Sequence, residues 1–191
     1  MGASAPAGPP ILSESAKNPL AVPPIRCFLF WVSLPYEEKL NGQKLMRAAP
    51  GVRHELICGR LYRLLVASVS NHAGFRLNEP RTAIPLSHAH QIAPDLALIN
   101  TVTGEIFLAV EVVSRDDHRT DTVTKKEIYE EFRVQRLWMV DPRYDNVEIY
   151  HASEYGLRLQ TILAGREVLS EDRIPEFAIV VAELFAAQPP S

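Results

Sequence analysis

Three charged side chains in the middle of the chain stand in or beside apolar stretches. Asp95 opens one apolar run, Glu111 lies inside a second, and Lys125 falls on the apolar side of an amphipathic segment. A buried carboxylate needs a cation, a proton or hydrogen-bond donors, because an unpaired charge is costly to remove from water. Charges kept in such positions often belong to functional sites. These three residues are therefore the first candidates for chemistry.

The two carboxylates belong to a predicted β-hairpin. Residues 96–99 and 106–113 are short apolar runs, and Thr103-Gly104 supplies turn chemistry between them, which favours two antiparallel strands. The near-continuous hydrophobicity of both runs indicates a sheet that is covered on both faces. Alternation along the second strand places Glu111 on the same face as Ala109.

The lysine belongs to a predicted helix that begins at Asp121, a suitable N-cap, and ends near residue 134. Its buried stripe has the spacing i, i+3, i+4 and i+7 and comprises Lys125, Ile128, Tyr129 and Phe132. The neighbouring Lys126 shares a flank with Glu130 and Arg133 and is predicted to face solvent. Lys125 could place its ammonium beside the two strand carboxylates for catalysis. It could equally snorkel, or pair with a carboxylate for architecture alone.

These segments together resemble the PD-(D/E)XK nuclease superfamily and, within it, the bacterial restriction endonuclease-like family. The central motif comprises Pro94-Asp95, Glu111-Val112-Val113-Ser114, Asp121 with Lys125 and Tyr129, and Trp138-Met139-Val140-Asp141-Pro142. Val113 occupies the usual place of the strand lysine, and the helical Lys125 replaces it. Glu38 with Asn41-Gly42 and residues 177–185 extend the resemblance to about residues 35–187.

The resemblance implies an α/β (α+β) fold of restriction-endonuclease-like type, in which helices flank a mixed central sheet. It also implies a metal-dependent endonuclease in which Asp95 and Glu111 bind Mg²⁺ or Mn²⁺. Lys125 would position the water and stabilise negative charge on the phosphate. Glu38 matches a further catalytic glutamate near the first helix, and Glu55 is the alternative match by position. The chain departs from the family pattern at Arg115, Asp116-Asp117, Gln43, Arg133 and Gln135. None of these departures removes Asp95, Glu111 or Lys125.

The charge distribution is compatible with a polyanionic partner. The formal net charge is −3, so no global basic field is present, yet residues 39–81 carry eight basic residues against two glutamates. A basic half beside an acidic site suits DNA, with Arg53, Arg60 and Ser114 as candidate contacts. The alternative for the arginines is an ordinary solvated helix face.

Two function classes remain open. One is an endodeoxyribonuclease that hydrolyses phosphodiester bonds, and a homodimer is expected for it because double-strand cleavage needs two centres. The other is a catalytically inactive nucleic-acid-binding or partner-binding domain of the same fold. Retention of Asp95, Glu111 and Lys125 favours the enzyme.

The remaining sequence predicts a single domain. Residues 1–24 are predicted to be a disordered leader, 25–187 one domain, and 188–191 a tail. No stretch is long enough to cross a membrane, and the two cysteines, Cys27 and Cys58, are expected to be reduced thiols of a cytoplasmic protein.

Two histidine positions allow alternative interpretations. His54 lies on a helix predicted over residues 53–68 and matches a histidine of the resembling family, or it hydrogen-bonds to backbone at the helix end. His88 and His90 have a spacing that occurs in metal sites. No third ligand follows at suitable spacing, so a chance pair is the favoured interpretation.

Overall fold

The computed structural model describes residues 34–70, 73–114 and 119–187. The predicted leader and tail, together with Cys27 and residues 115–118, lie outside these ranges. Within them the chain forms strands β1 (Tyr36–Leu40), β2 (Gln43–Arg47), β3 (Phe75–Leu77), β4 (Ile84–Pro85), β5 (Gln91–Ile92), β6 (Leu96–Asn100), β7 (Ile106–Val112), β8 (Arg136–Asp141), β9 (Asn146–Ser153), β10 (Gly156–Ala164), β11 (Val168–Glu171) and β12 (Ile174–Val180). The helices are α1 (Val52–Val69), α2 (Lys125–Glu131) and α3 (Val181–Phe185).

The central sheet has six strands in the order β10-β9-β8-β7-β6-β3. Strands β7 and β8 are parallel, and the other neighbours are antiparallel, so the sheet is mixed as predicted. The predicted hairpin is confirmed as β6 and β7, which pair in antiparallel register. A turn after Pro142 joins β8 to β9.

Each face of the central sheet carries its own hydrophobic core. On one face, Ile57, Leu61 and Leu65 of α1 pack against residues that include Val110 and Trp138. On the other face, α2 and the smaller sheet β2-β1-β5-β4 pack against the sheet positions that share a face with Ala109. Because both faces are covered, every residue of β7 is buried. A carboxylate at position 111 must therefore find its partners inside the protein.

The helix that carries the lysine differs at both ends from its prediction. A π-helical turn, Thr120–Thr124, precedes α2, so Asp121 lies inside a helical turn and the N-cap prediction is wrong. Threonine and valine dominate this turn, and such β-branched residues are poor formers of a regular α-helix. The helix ends at Glu131 because Arg133 adopts a left-handed φ of 53°.

The other helical predictions agree closely with the structure. Helix α1 extends one residue beyond the predicted range at each end. Residues 177–185, which extended the resemblance, form the end of β12 followed by α3. None of the helices within the described residues combines the length and the apolar character that a membrane crossing requires.

Candidate active site

The register of the β6–β7 hairpin brings the two candidate carboxylates together. Leu96 pairs with Val110, so the next position outward on each strand places Asp95 across from Glu111. Residues directly opposite in an antiparallel pair have side chains on the same face, with Cβ atoms about 5 Å apart. Asp95 and Glu111 are both almost fully buried, with 2% of their surface exposed.

Asp95 is surrounded by hydrogen-bond donors. One carboxylate oxygen accepts a 3.0 Å bond from Arg81, and the other accepts a 2.9 Å bond from the backbone N–H of Val112. His54 Nε2 lies 3.0 Å from the second oxygen, without the alignment of a hydrogen bond. His54 therefore faces Asp95, and the alternative of a backbone contact at the helix end does not describe it.

Glu111 is held by two side chains of α2. Lys125 Nζ lies 2.7 Å from each carboxylate oxygen of Glu111, and the Tyr129 hydroxyl donates a very short hydrogen bond to one of them. Burial, reinforced by the charge of Glu111, raises the pKa of Tyr129 well above its usual value, so this phenol remains a donor. The two residues stand on the predicted buried stripe of the helix, as the spacing indicated.

Lys125 is completely buried between two carboxylates. Besides Glu111, its ammonium contacts Glu38 Oε1 at 3.0 Å, and this same oxygen accepts a 2.8 Å bond from the backbone N–H of Ala93. Glu38 Oε2 lies 3.7 Å from Arg47 Nε. Glu38 thus comes close to the candidate residues, as the resemblance implied, but on the inner side of Lys125.

A cavity of about 330 Å³ opens beside the two strand carboxylates. Asp95 and Glu111 line it, whereas Lys125 and Glu38 lie behind this lining. The lining also includes the polar residues Tyr36, Arg47, Arg53, His54, Ser114 and Arg143. Burial and then the nearby charge of Asp95 raise the pKa of the Tyr36 phenol well above its usual value. The lining of the cavity therefore combines two carboxylates with the side chains of three arginines.

The three predicted DNA contacts have different positions. Arg53 and Ser114 line the cavity, and Arg53 also forms a 2.5 Å ion pair with Asp145. Arg60 is buried, and its guanidinium donates to the carbonyl oxygens of Leu184 and Ala186 at 2.8 and 2.6 Å. This arginine attaches α1 to the end of α3, so the structure gives no support to its predicted contact with DNA.

Comparison with known proteins establishes the family. A sequence model described as Uma2, putative restriction endonuclease, matches residues 33–182, which is most of the chain. The chain belongs to the Uma2 family. The fold is also similar to the crystal structure of a putative nuclease belonging to DUF820 from Anabaena variabilis ATCC 29413. That match has a TM-score of 0.67 and 16% identity, and it covers 79% of this chain and 90% of the other. No curated protein shows significant sequence similarity to the chain.

These matches confirm the resemblance to the restriction endonuclease-like family and the predicted fold class. The family match spans nearly the range over which the motifs resembled the restriction endonuclease-like family. At 16% identity, the structural match speaks for the fold alone. The catalytic roles of Asp95, Glu111, Lys125 and Glu38 in this Uma2 chain remain predictions.

The donor set of the cavity fits a hard divalent cation. No group of three or more His, Cys, Asp or Glu residues within the described ranges is arranged to bind a metal by itself. Mg²⁺, however, is commonly bound by one or two carboxylates, with waters and substrate phosphate completing its shell. Asp95 and Glu111 supply two carboxylates at one cavity. His90 is buried and accepts a bond from the backbone N–H of Asn41, so the structure gives no support to a histidine metal pair.

One functional candidate had no signal in the sequence of this Uma2 chain. Arg81 reaches Asp95 from a loop after β3 and also donates a 2.6 Å bond to Glu55 of α1. Burial opposes the charge of Arg81, yet Asp95 and Glu55 together raise its pKa above the usual value. In the sequence Arg81 was only one of eight basic residues between positions 39 and 81. No periodicity or motif distinguished it from the others.

Proposed function

We propose that this Uma2-family chain is a metal-dependent endonuclease that hydrolyses phosphodiester bonds of DNA. The observation that carries the proposal is the position of Asp95 and Glu111. Asp95 immediately precedes β6 and lies across from Glu111 of the paired strand β7, and both line a cavity whose lining also includes Arg47, Arg53 and Arg143. A phosphate could enter such a site between carboxylates that bind the cation and arginines that contact its oxygens.

The carboxylates have the metal-binding role in this proposal. Asp95 and Glu111 would bind Mg²⁺ or Mn²⁺, and the cation supplies Lewis-acid polarisation of the phosphate and a lowered pKa of bound water. The N–H of Val112 and the guanidinium of Arg81 fix the orientation of Asp95. Tyr129 and Lys125 fix that of Glu111 from the opposite side.

Lys125 acts in this arrangement mainly through Glu111. Its ammonium is fully buried and lies within 3.0 Å of oxygens from both Glu38 and Glu111. It provides positive charge beside the site and prevents two buried carboxylates from repelling each other. Direct positioning of the attacking water would require Lys125 to give up one of these contacts. We therefore assign Lys125 first to orienting Glu111.

The cavity rim has the substrate-binding role. The side chains of Arg53 and Arg143 are 58% and 37% exposed, so each could exchange its internal partner for a phosphate. Their present partners are Asp145 for Arg53 and Asp141 for Arg143. Ser114 and His54 line the same cavity and can donate hydrogen bonds to phosphate oxygens.

One observation favours the inactive alternative. The oxygens of Asp95 and Glu111 already have protein cations as partners, namely Arg81 and Lys125. A binding domain without catalysis could retain such pairs purely for stability. The two functions differ in whether DNA is cut when a divalent cation is added.

Cleavage of supercoiled plasmid in Mn²⁺ or Mg²⁺ tests the proposal. We expect the wild type to produce nicked or linear plasmid with either cation and none in EDTA, and Asp95→Asn to be inactive. Asp172→Asn is the matched control, because Asp172 lies on the exposed β11–β12 turn. Absence of cation-dependent cleavage by the pure wild type, or equal cleavage by Asp95→Asn, would contradict it. A homodimer and a cytoplasmic location remain predictions.

A further inference from the structure

Arg81 is attached to the segment of Asp95 through both its backbone and its side chain. Its backbone N–H donates to the carbonyl oxygen of Pro94 at 3.0 Å, and its guanidinium donates to Asp95 Oδ1 at the same distance. The φ of Arg81 is 56°, a conformation that residues with a side chain seldom adopt. The backbone bond, the side-chain bond and the positive φ of Arg81 together hold this residue beside Asp95.

The guanidinium of Arg81 is shared between two carboxylates. One terminal nitrogen bonds to Asp95, and the other bonds to Glu55 Oε1 at 2.6 Å. The exposed side-chain fractions are 9% for Arg81, 13% for Glu55 and 3% for Asp95. Charges in so dry an environment interact more strongly than on the surface, so each partner affects the others.

Glu55 and Arg81 differ from the other polar groups near Asp95 because neither lines the cavity. Arg81 contacts Asp95 through Oδ1, the oxygen that the Val112 N–H does not use, and Glu55 contacts Arg81 rather than Asp95. A bound phosphate would therefore meet Asp95 without displacing either residue. Their effect must pass through the orientation and the charge of Asp95.

We infer that Arg81 is a positioning residue that holds Asp95 toward the cavity and sets the affinity of the site for a divalent cation. Glu55 partly neutralises the charge of Arg81. This inference rests on the proposed function, because it assumes that Asp95 binds the cation. Arg81 neutralises part of the Asp95 charge and thereby weakens attraction for a cation. Glu55 offsets part of the Arg81 charge and thereby strengthens it. The two residues should affect cation affinity in opposite directions.

Calorimetric titration of the full chain with Mn²⁺ alone, without DNA, tests the inference. One unit charge at contact distance corresponds to about a fivefold change in affinity even with water-like screening. We expect Arg81→Gln to bind Mn²⁺ about fivefold more tightly, and Glu55→Gln about fivefold more weakly. Arg81→Lys keeps the charge and should restore the wild-type affinity to within about twofold. Arg76→Gln is the matched control, because Arg76 is an exposed arginine of β3 whose partner is Asn78.

Cleavage kinetics separate positioning from charge. Lysine cannot reproduce the two-pronged contact of arginine, so Arg81→Lys should lower kcat on plasmid DNA while KM stays near the wild-type value. A purely structural Arg81 would instead lower stability and leave the Mn²⁺ affinity of every folded variant unchanged. If Arg81→Gln does not fold, Glu55→Gln alone still decides the direction.

The outcomes also separate this inference from the proposed function. If Asp95→Asn loses Mn²⁺ binding while Arg81→Gln and Glu55→Gln both bind as the wild type does, the role of Arg81 is refuted and the metal site stands. Changes of the same sign in both variants also refute it. If the wild type does not bind Mn²⁺, the metal site itself is refuted, and this inference with it.

Discussion

Lys125 Nζ is completely buried and lies 2.7 Å from each carboxylate oxygen of Glu111. The pair is not isolated, because Glu38 contacts the same ammonium from the other side. Two negative groups thus share one positive group in the interior. This arrangement couples the stability of the fold to the geometry of the candidate site.

Replacing Lys125 by methionine should destabilise the protein strongly. It would leave Glu38 and Glu111 as buried carboxylates without their common cation, and breaking a buried pair in this way costs roughly 3–5 kcal/mol. Lys126→Met is the matched control. Lys126 forms a partly exposed 3.6 Å pair with Glu130 and lies 4.8 Å from the centre of the Tyr150 ring, so its loss should cost about 1 kcal/mol or less.

Urea unfolding of the two lysine variants provides the comparison. Equal unfolding free energies for Lys125→Met and Lys126→Met would show that the helix does not bury Lys125 as described. Replacing Asp95 or Glu111 by alanine would likewise leave a buried cation without its carboxylate partner. Deleting either should not relieve repulsion, because each carboxylate has a cationic partner.

Tyr129→Phe should change how stability depends on alkaline pH. The pKa of Tyr129 in the folded protein lies well above its usual value, which is about 10 in an unfolded chain. Below pH 10 both states keep the phenol proton, so this residue adds no pH dependence there. Above pH 10 the unfolded chain loses the proton first, so stability falls as pH rises.

The phenylalanine variant lacks this titration and should lose less stability between pH 9 and 11 than the wild type. At pH 8 it should be less stable by about 1.5–3 kcal/mol, because Glu111 loses a charge-assisted hydrogen bond. Tyr155→Phe serves as the control, since Tyr155 is 96% exposed. Parallel curves for wild type and Tyr129→Phe across this range would show that Tyr129 titrates normally.

Short-range patterns in the sequence account for the part of the site that was predicted. Alternation placed Glu111 on the α2 side of β7, and helical spacing placed Lys125 inward and Lys126 on a flank, where the structure leaves it 29% exposed. Both arguments need only the period of one element and the position of its apolar residues. The motif added Asp95, and the hairpin register then determined its position opposite Glu111.

Contacts between distant segments could not be predicted in this way. The bond between Arg81 and Asp95 depends on a loop conformation with positive φ, which no hydrophobic pattern records. Nothing in the sequence indicated that Arg60 is buried. Its carbonyl partners are Leu184 and Ala186, more than 120 positions later in the chain. The length of α2 was overestimated for a related reason, since hydrophobic spacing continued to residue 134 beyond the left-handed turn at Arg133.

Gly156→Ala should destabilise the β9–β10 hairpin. The φ of Gly156 is 108°, and an added Cβ would lie 3.1 Å from Glu130 Cδ. The same glutamate accepts a bond from the backbone N–H of Leu157, so moving it away would lose that contact. We expect a loss of about 1–3 kcal/mol from the backbone strain.

Thermal unfolding of Gly156→Ala beside Gly74→Ala measures this effect. Gly74 has open space around its missing Cβ and no positive φ, so its variant should unfold near the wild-type temperature. A Gly156→Ala protein as stable as Gly74→Ala would mean that Gly156 does not adopt the positive φ described.

The rate at which Glu111→Gln and Glu38→Gln cut supercoiled plasmid at saturating Mn²⁺ tests the central claim most directly. The two glutamates contact the same lysine, but only Glu111 lines the cavity. If Glu111 belongs to the catalytic centre, Glu111→Gln should lose at least about 100-fold in single-turnover rate. Glu38→Gln should retain clearly more activity. Wild-type cleavage by Glu111→Gln, or an equal loss in both variants, would contradict the assignment of the active site.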